Sequence, residues 1–207
     1  IQGMNNTMEG VEVPLKDIGD TLDRIAAGDS KAQVTADYKG AYNVLKVAAN
    51  ELGDQIGAVV QEMEKMAAAT AEGKLDYRGD PSRLKGDLAE IVSGVNRSMD
   101  AVIGPLNVTA EYVDRISKGD IPEKITDDYK GDFNEVKNNL NVCIDVLNGL
   151  VAEAAKLADA AAEGKLDVRG EADKYMGDFG KIIQGMNNTM EGVEVPLKDI
   201  GDTLDRI

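Results

Sequence analysis

Residues 1–25, IQGMNNTMEGVEVPLKDIGDTLDRI, return without a change as residues 183–207. Finer marks show the length of the repeating unit. Pro14, Pro105 and Pro196 recur at 91-residue steps, each followed by leucine. Asn5, Asn50, Asn96, Asn141 and Asn187 halve that step, at 45, 46, 45 and 46 residues, and Gly28, Gly73, Gly119 and Gly164 keep the same beat. The chain is therefore four units of about 45 residues, and periods of this size signal supersecondary units stacked along one axis. Odd units resemble odd units more closely than even ones.

Each unit reads as helix, linker, helix. In unit 1, Leu15, Ile18, Leu22 and Ile25 form an apolar seam at steps of 3, 4 and 3, which Gly28 stops as a C-terminal glycine does. Tyr42, Leu45, Ala49, Leu52, Ile56 and Val59 form a second seam with heptad spacing. Unit 3 repeats it at Phe133, Val136, Leu140, Cys143, Leu147 and Leu150, and units 2 and 4 follow with Leu88 to Val102 and Phe179 to Val193. A linker of about 12 residues reaches about 40 Å, whereas a 14-residue helix is about 21 Å long. The second helix is thus expected to start back at the top and run parallel to the first. Ile121 and Ile125, or Leu75 and Leu166, would pin the linker into the groove. Unit 1 has Ser30 in place of Ile121, so its linker is expected to be held more loosely.

Two seams per unit need partners, because so short a helix pair buries too little alone. The simplest completion is a parallel homodimer, giving an all-α fold of concatenated parallel four-helix coiled-coil bundles. The boundaries are then 1–13 for the end of a preceding second helix, units at 14–58, 59–104, 105–149 and 150–195, and 196–207 for a following first helix.

The first-helix seams alternate in size. Unit 1 has Leu22 at its centre and unit 3 has Val113, in Leu106, Thr109, Val113, Ile116. Unit 2 has Ala67, in Val60, Met63, Ala67, Thr70, and unit 4 has Ala158, in Val151, Ala154, Ala158, Ala161. Alanine lets a helix approach the axis while leucine or valine holds it away, and packed cores have discrete arrangements. Neighbouring units are expected to rest in two different packings. At the junctions the seam steps 4 and 4 through Ser98, Val102, Leu106 and through Thr189, Val193, Leu197, which unwinds a helix locally as at a stutter.

The 207 residues hold Lys+Arg 23 against Asp+Glu 38 and no His. The acidic balance disfavours nucleic acid and anionic membrane, which require clustered cations. Lack of histidine removes imidazole acid/base chemistry and a phospho-accepting His from this stretch. No apolar run approaches about 18 residues, and no secretory leader opens the sequence. The one cysteine, Cys143, fits a reducing compartment, and as a seam residue it reads as a small buried hydrophobe rather than a redox sensor. The asparagines lie one place after a seam residue and are expected to bond a linker or neighbouring helix rather than a ligand. Ser98 and Thr189 are expected to bond back to their own helices. Asp127 to Asp132 lacks the alternating spacing of a calcium loop. No catalytic group, metal site, cofactor or direct small-molecule ligand is expected.

The second helices carry an acid-apolar start and an apolar-Asn pair in common register: Asp87-Leu88 to Val95-Asn96, Asp132-Phe133 to Leu140-Asn141, and Asp178-Phe179 to Met186-Asn187. With proline opening a first helix and glycine closing it, this resembles the HAMP domain, the signal-relay module of chemoreceptors and sensor histidine kinases, as an array of four units. Asp stands where the family has Glu, unit 1 has Ala41 there, and units 2 and 4 have Val59 and Leu150 in place of the proline. The resemblance implies an acidic contact between linker and second helix. It also implies a cytoplasmic relay covalently linked to sensor and output domains, in a parent that can carry an inner-membrane anchor. The sites carrying the relay would be the four seam centres, Pro14, Pro105, Pro196, the four closing glycines, and Asp87, Asp132 and Asp178. The alternative function is a passive rigid spacer, which would need neither alternating core sizes nor stutters.

Overall fold

The computed structural model describes the backbone of residues 2–206 and the side chains of residues 8–206, so the Asn5 side chain lies outside the described residues. Helices α1 (Gln2–Ala26), α2 (Ala41–Ala71), α3 (Asp87–Ser117), α4 (Asp132–Ala162) and α5 (Asp178–Leu204) are joined by straps at 27–40, 72–86, 118–131 and 163–177. The last strap contains a 3-10 turn, Ala172–Lys174. Among the described residues there is no strand, and no helix is long and apolar enough to cross a membrane. The protein is all-α, in two compact units, Ile1–Gly104 and Pro105–Ile207.

Helix α2 serves two repeats, its first half as the second helix of repeat 1 and its second half as the first helix of repeat 2. Helix α4 does the same for repeats 3 and 4. The prolines do not open helices as the sequence suggested: Pro14, Pro105 and Pro196 lie inside α1, α3 and α5. Each removes one donor, but the carbonyls four residues earlier, on Gly10, Ala101 and Gly192, belong to exposed residues where water is available. The turns on either side stay helical.

Glycine ends the first helices by one device. Gly28 has φ 99°, a region that costs a residue with a Cβ. Its N–H bonds the Ile25 carbonyl while Asp29 N–H bonds Arg24, both at 2.9 Å. This is the double capping bond of a Schellman turn. Gly73, Gly119 and Gly164, at φ 75°, 80° and 73°, are followed by the same pair of bonds.

Hydrogen bonds fix the direction of each strap. In repeat 1, Gln33 bonds Asp54, Val34 bonds Asn50, and Ala36 receives Lys46, so the strap runs antiparallel to α2. Tyr38 near the strap's end reaches back to Asp17, early in the helix the strap has just left. Helices α1 and α2 are therefore parallel, and Ile18 packs with Val34 and Ala49. In repeat 2, Arg78 meets Asp100, Gly79 meets Asn96, and Asp80 meets Glu62 by the same logic. In repeat 3, Pro105 and Val108 line a crevice with Tyr129, Phe133 and Val136, helix start against helix start.

One sequence expectation about packing changes, and a further buried row appears beside the expected seam. Repeat 1 does not hold its strap loosely, since Ala32 and Val34 are buried. Ser30 lies against a glycine face, its carbonyl oxygen 3.2 Å from where a Cβ on Gly53 would stand, so small opposes small and the strap seats closely. In the even repeats the buried first-helix residues are Met66 and Ala69, and Leu157 and Ala160. Each lies one place before the expected Ala67, Thr70, Ala158 and Ala161. Methionine and leucine turn inward there because the facing strap residue is glycine and leaves room.

Candidate functional site

The strap is held in all four repeats by one asparagine. Asn50 Oδ1 accepts the Val34 N–H at 2.8 Å and its Nδ2 donates to the Val34 carbonyl at 3.1 Å. Asn96 does this to Gly79 (3.0 and 2.8 Å), Asn141 to Ile125 (2.8 and 3.0 Å) and Asn187 to Gly170 (2.7 and 2.9 Å). An extended strap has no ladder to satisfy its backbone, and a side-chain amide matches one residue's donor and acceptor together. Asparagine was expected to bond a linker or a neighbouring helix, and it bonds the linker.

Beside each clasp a second tie is made by the residue just before the clasped one. Gln33 bonds Asp54 at 2.8 Å and Lys124 pairs with Asp145 at 2.6 Å. Arg78 pairs with Asp100 at 2.6 Å and Arg169 with Glu194 at 2.7 Å. Both arginines also turn Nη1 onto two strap carbonyls, Leu75 and Tyr77 in one repeat, Leu166 and Val168 in the other. These hooks went unnoticed in the sequence. Their signal is the pair of residues Gln33-Val34, Arg78-Gly79, Lys124-Ile125 and Arg169-Gly170, recurring at 45, 46 and 45 residues.

The core around the clasp alternates in composition. In repeats 1 and 3 the clasped residue is large, Val34 or Ile125, and both are buried. Four residues before the asparagine stands a lysine, Lys46 or Lys137, whose ammonium lies on strap carbonyls. In repeats 2 and 4 the clasped residue is Gly79 or Gly170, and the lysine is replaced by Val92 or Ile183, both fully buried. A Cβ on Gly79 would stand 2.7 Å from Met66 Sδ and 2.8 Å from a Val92 methyl; on Gly170 it would stand 2.7 Å from an Ile183 methyl. Bulk has moved from strap to helices, giving two ways to fill one layer.

Polar closure of the first helix alternates as well. Arg24 pairs with Asp29 at 2.6 Å, and Arg115 with Asp120 at 2.7 Å, in the odd repeats. The guanidinium hydrogen bond holds each aspartate below the ordinary carboxylate range. In even repeats Ala69 and Ala160 replace the arginines and are buried instead. Tyr38 donates to Asp17 at 2.8 Å, and that carboxylate raises the phenol's pKa.

The other sequence-selected residues have these places. Leu22, Ala67, Val113 and Ala158 are all exposed, each on an open face of its repeat with a neighbouring first-helix residue and two from the second helix. The sets are Leu15, Leu22, Leu45, Leu52; Val60, Ala67, Ile91, Ser98; Leu106, Val113, Val136, Cys143; and Val151, Ala158, Ile182, Thr189, every member exposed. Cys143, read as a buried seam residue, is exposed in the single chain. Ser98 and Thr189 bond back to Gly94 and Gly185 of their own helices, as expected. Asp87, Asp132 and Asp178 each begin a helix, where a carboxylate meets the positive end of the dipole. Among the described residues Asp87 and Asp132 make no hydrogen bond to the strap, and Asp178 pairs with Lys181 of its own helix. The implied acidic contact between strap and second helix is therefore not made by these residues but by Asp54, Asp100, Asp145 and Glu194, the partners of the hooks. Among the described residues no group of three or more His, Cys, Asp or Glu converges to hold a metal.

The family model of the HAMP domain matches residues 1–58, 83–149 and 174–207. Repeats 1 and 3 are matched throughout. The unmatched stretches are the first helix and most of the strap in repeats 2 and 4, where proline is missing and glycine is clasped.

Proposed function

From the premise that this chain belongs to the HAMP domain family, whose members relay signals within sensor proteins and are not catalysts, we propose that it is a relay whose successive repeats rest in opposite packing states. The observation that carries the reading is the alternation at the clasp: Val34 and Ile125 over Lys46 and Lys137, against Gly79 and Gly170 over Val92 and Ile183. A rotation or lateral shift of a second helix passes along the continuous helix, as α2 and α4 provide, into the next first helix. That helix sits in a differently shaped layer and responds in the opposite sense.

The reading includes a parallel homodimer in a reducing compartment, with sensor and output domains attached to the chain. Its support is the open face of each repeat, four residues at heptad spacing on two parallel helices, predominantly apolar and exposed. On that face Leu22 and Val113 alternate with Ala67 and Ala158, and Leu52 and Cys143 with Ser98 and Thr189, so wide and narrow layers would meet at the axis. Parallel pairing places Cys143 opposite its counterpart. Mild oxidation should then crosslink two chains at Cys143, and failure to crosslink, or a monomeric mass at high concentration, refutes the dimer.

Deletions separate a relay from a rigid spacer. The chain is placed between a dimeric sensor and a kinase output, and either residues 59–104 or residues 59–149 are removed. A relay inverts or locks when one repeat is lost and keeps its sign when two are lost. Equal output from both deletions favours the spacer and ends the relay reading.

A further inference from the structure

A fifth amide clasp lies where repeat 1 meets repeat 2. Gln55, in the last turn that α2 gives to repeat 1, donates from Nε2 to the Arg83 carbonyl at 3.2 Å, and its Oε1 accepts the Lys85 N–H at 3.0 Å. One turn earlier on the same face, Glu51 pairs with the Lys85 ammonium. Arg83 and Lys85 end the strap of repeat 2, just before Gly86 turns the chain into α3. The strap of repeat 2 is thus fastened at two levels: to its own second helix by Asn96 at Gly79, and to the second helix of repeat 1 by Gln55.

The matching place between repeats 3 and 4 is built otherwise. Val146 and Val142 stand for Gln55 and Glu51, and Lys174 and Met176 for Arg83 and Lys85. Lys174 pairs with Glu171 of its own strap, and Met176 is exposed. Tyr175 packs on Gly149, close enough that a Cβ there would lie 2.7 Å from its hydroxyl.

We infer that Gln55, with Glu51, is a latch joining the second helix of repeat 1 to the exit of the strap in repeat 2, so that repeats 1 and 2 move together while repeats 3 and 4 lack this tie. A helix shift in repeat 1 pulls directly on the point where α3 begins, in addition to whatever passes along α2. The bonds stand on geometry alone; their use in signalling rests on the relay reading.

Amide hydrogen exchange on the whole chain tests the latch. In Gln55→Val, which installs the residue of repeat 3, the Lys85 amide is expected to exchange on the order of tenfold faster, while the Gly79 amide held by Asn96 changes less than about twofold. Gln55→Ala, with the better helix former, should do the same, which guards against a fault in α2 itself. Asn50→Ala, which frees the strap of repeat 1, should speed Lys85 exchange in the parent and add nothing in the Gln55→Val background. Unchanged Lys85 exchange in both Gln55 variants overturns the latch. So does an Asn50→Ala effect at Lys85 that is absent in the parent or equal in the two backgrounds. The relay reading fails separately, by the deletion outcome above, whatever Lys85 does.

Discussion

Replacing Asn187 with alanine is the sharpest probe of the strap. Asn187 is 9% exposed, and its two bonds to Gly170, at 2.7 and 2.9 Å, satisfy a donor and an acceptor lying over Leu157 and Ile183. Each buried group left without a partner costs about 1–3 kcal/mol, so the pair amounts to about 2–6 kcal/mol. Alanine returns about 0.6 kcal/mol in helix propensity, and entry of a water lowers the sum further, to about 2–4 kcal/mol. The clasp of repeat 1 is half-exposed at Asn50, where water already reaches, and Asn50→Ala should cost about 1–2 kcal/mol. Urea unfolding followed by far-UV circular dichroism, at one fixed protein concentration, measures both. The reasoning is refuted if Asn187→Ala unfolds within about 0.5 kcal/mol of the parent, or if Asn50→Ala proves the more damaging.

Adding a methyl at Gly79 forces it against Met66 and Val92, so Gly79→Ala should lose about 1–3 kcal/mol in the same assay. Adding Val92→Ala should recover part of that loss, and a double variant no better than the sum of the singles would contradict the volume exchange. Asp29 and Asp120, lowered by Arg24 and Arg115, should titrate below the ordinary 3.8 in carboxyl NMR, and Arg24→Ala should shift Asp29 upward. Because the folded-state values are depressed, this stabilisation is present above pH 3.8 and fades as acid protonates the folded carboxylates. Tyr38, raised by Asp17, should ionise above pH 10 in an ultraviolet titration, and Tyr38 in an Asp17→Asn variant should ionise earlier. Its phenol is neutral in the fold, so that contact's stabilisation is lost on the alkaline side.

Periodicity was enough to place the helices, their glycine ends and the asparagines, because these are local or strictly repeated. Spacing puts Asn50, Asn96, Asn141 and Asn187 on one recurring helix position, and chemistry limits a side-chain amide there to a backbone partner. The residue clasped, and the arginine hooks at Arg78 and Arg169, were hidden because the recurring pair changes residue type from repeat to repeat, Gln33-Val34, Arg78-Gly79, Lys124-Ile125 and Arg169-Gly170. The inward row of Met66 and Ala69, and of Leu157 and Ala160, was missed for a related reason. Helical spacing does not say that Met66, next to Ala67, turns to the strap, and only the vacancy left by Gly79, brought beside it by a folded strap, decides that it does.

The duplicated stretch separates the two kinds of information without any mutation. Ile18 and Ile200 occupy the same place in identical 25-residue sequences, and both are helical. Ile18 is 5% exposed and Ile200 is 56% exposed. Helix formation follows from propensity, capping and heptad spacing, which travel with the sequence. Burial needs surfaces from elsewhere: Ile18 has Val34 from the strap and Ala49 from α2 to cover it, and apolar burial is a property of the pair in contact rather than of either residue.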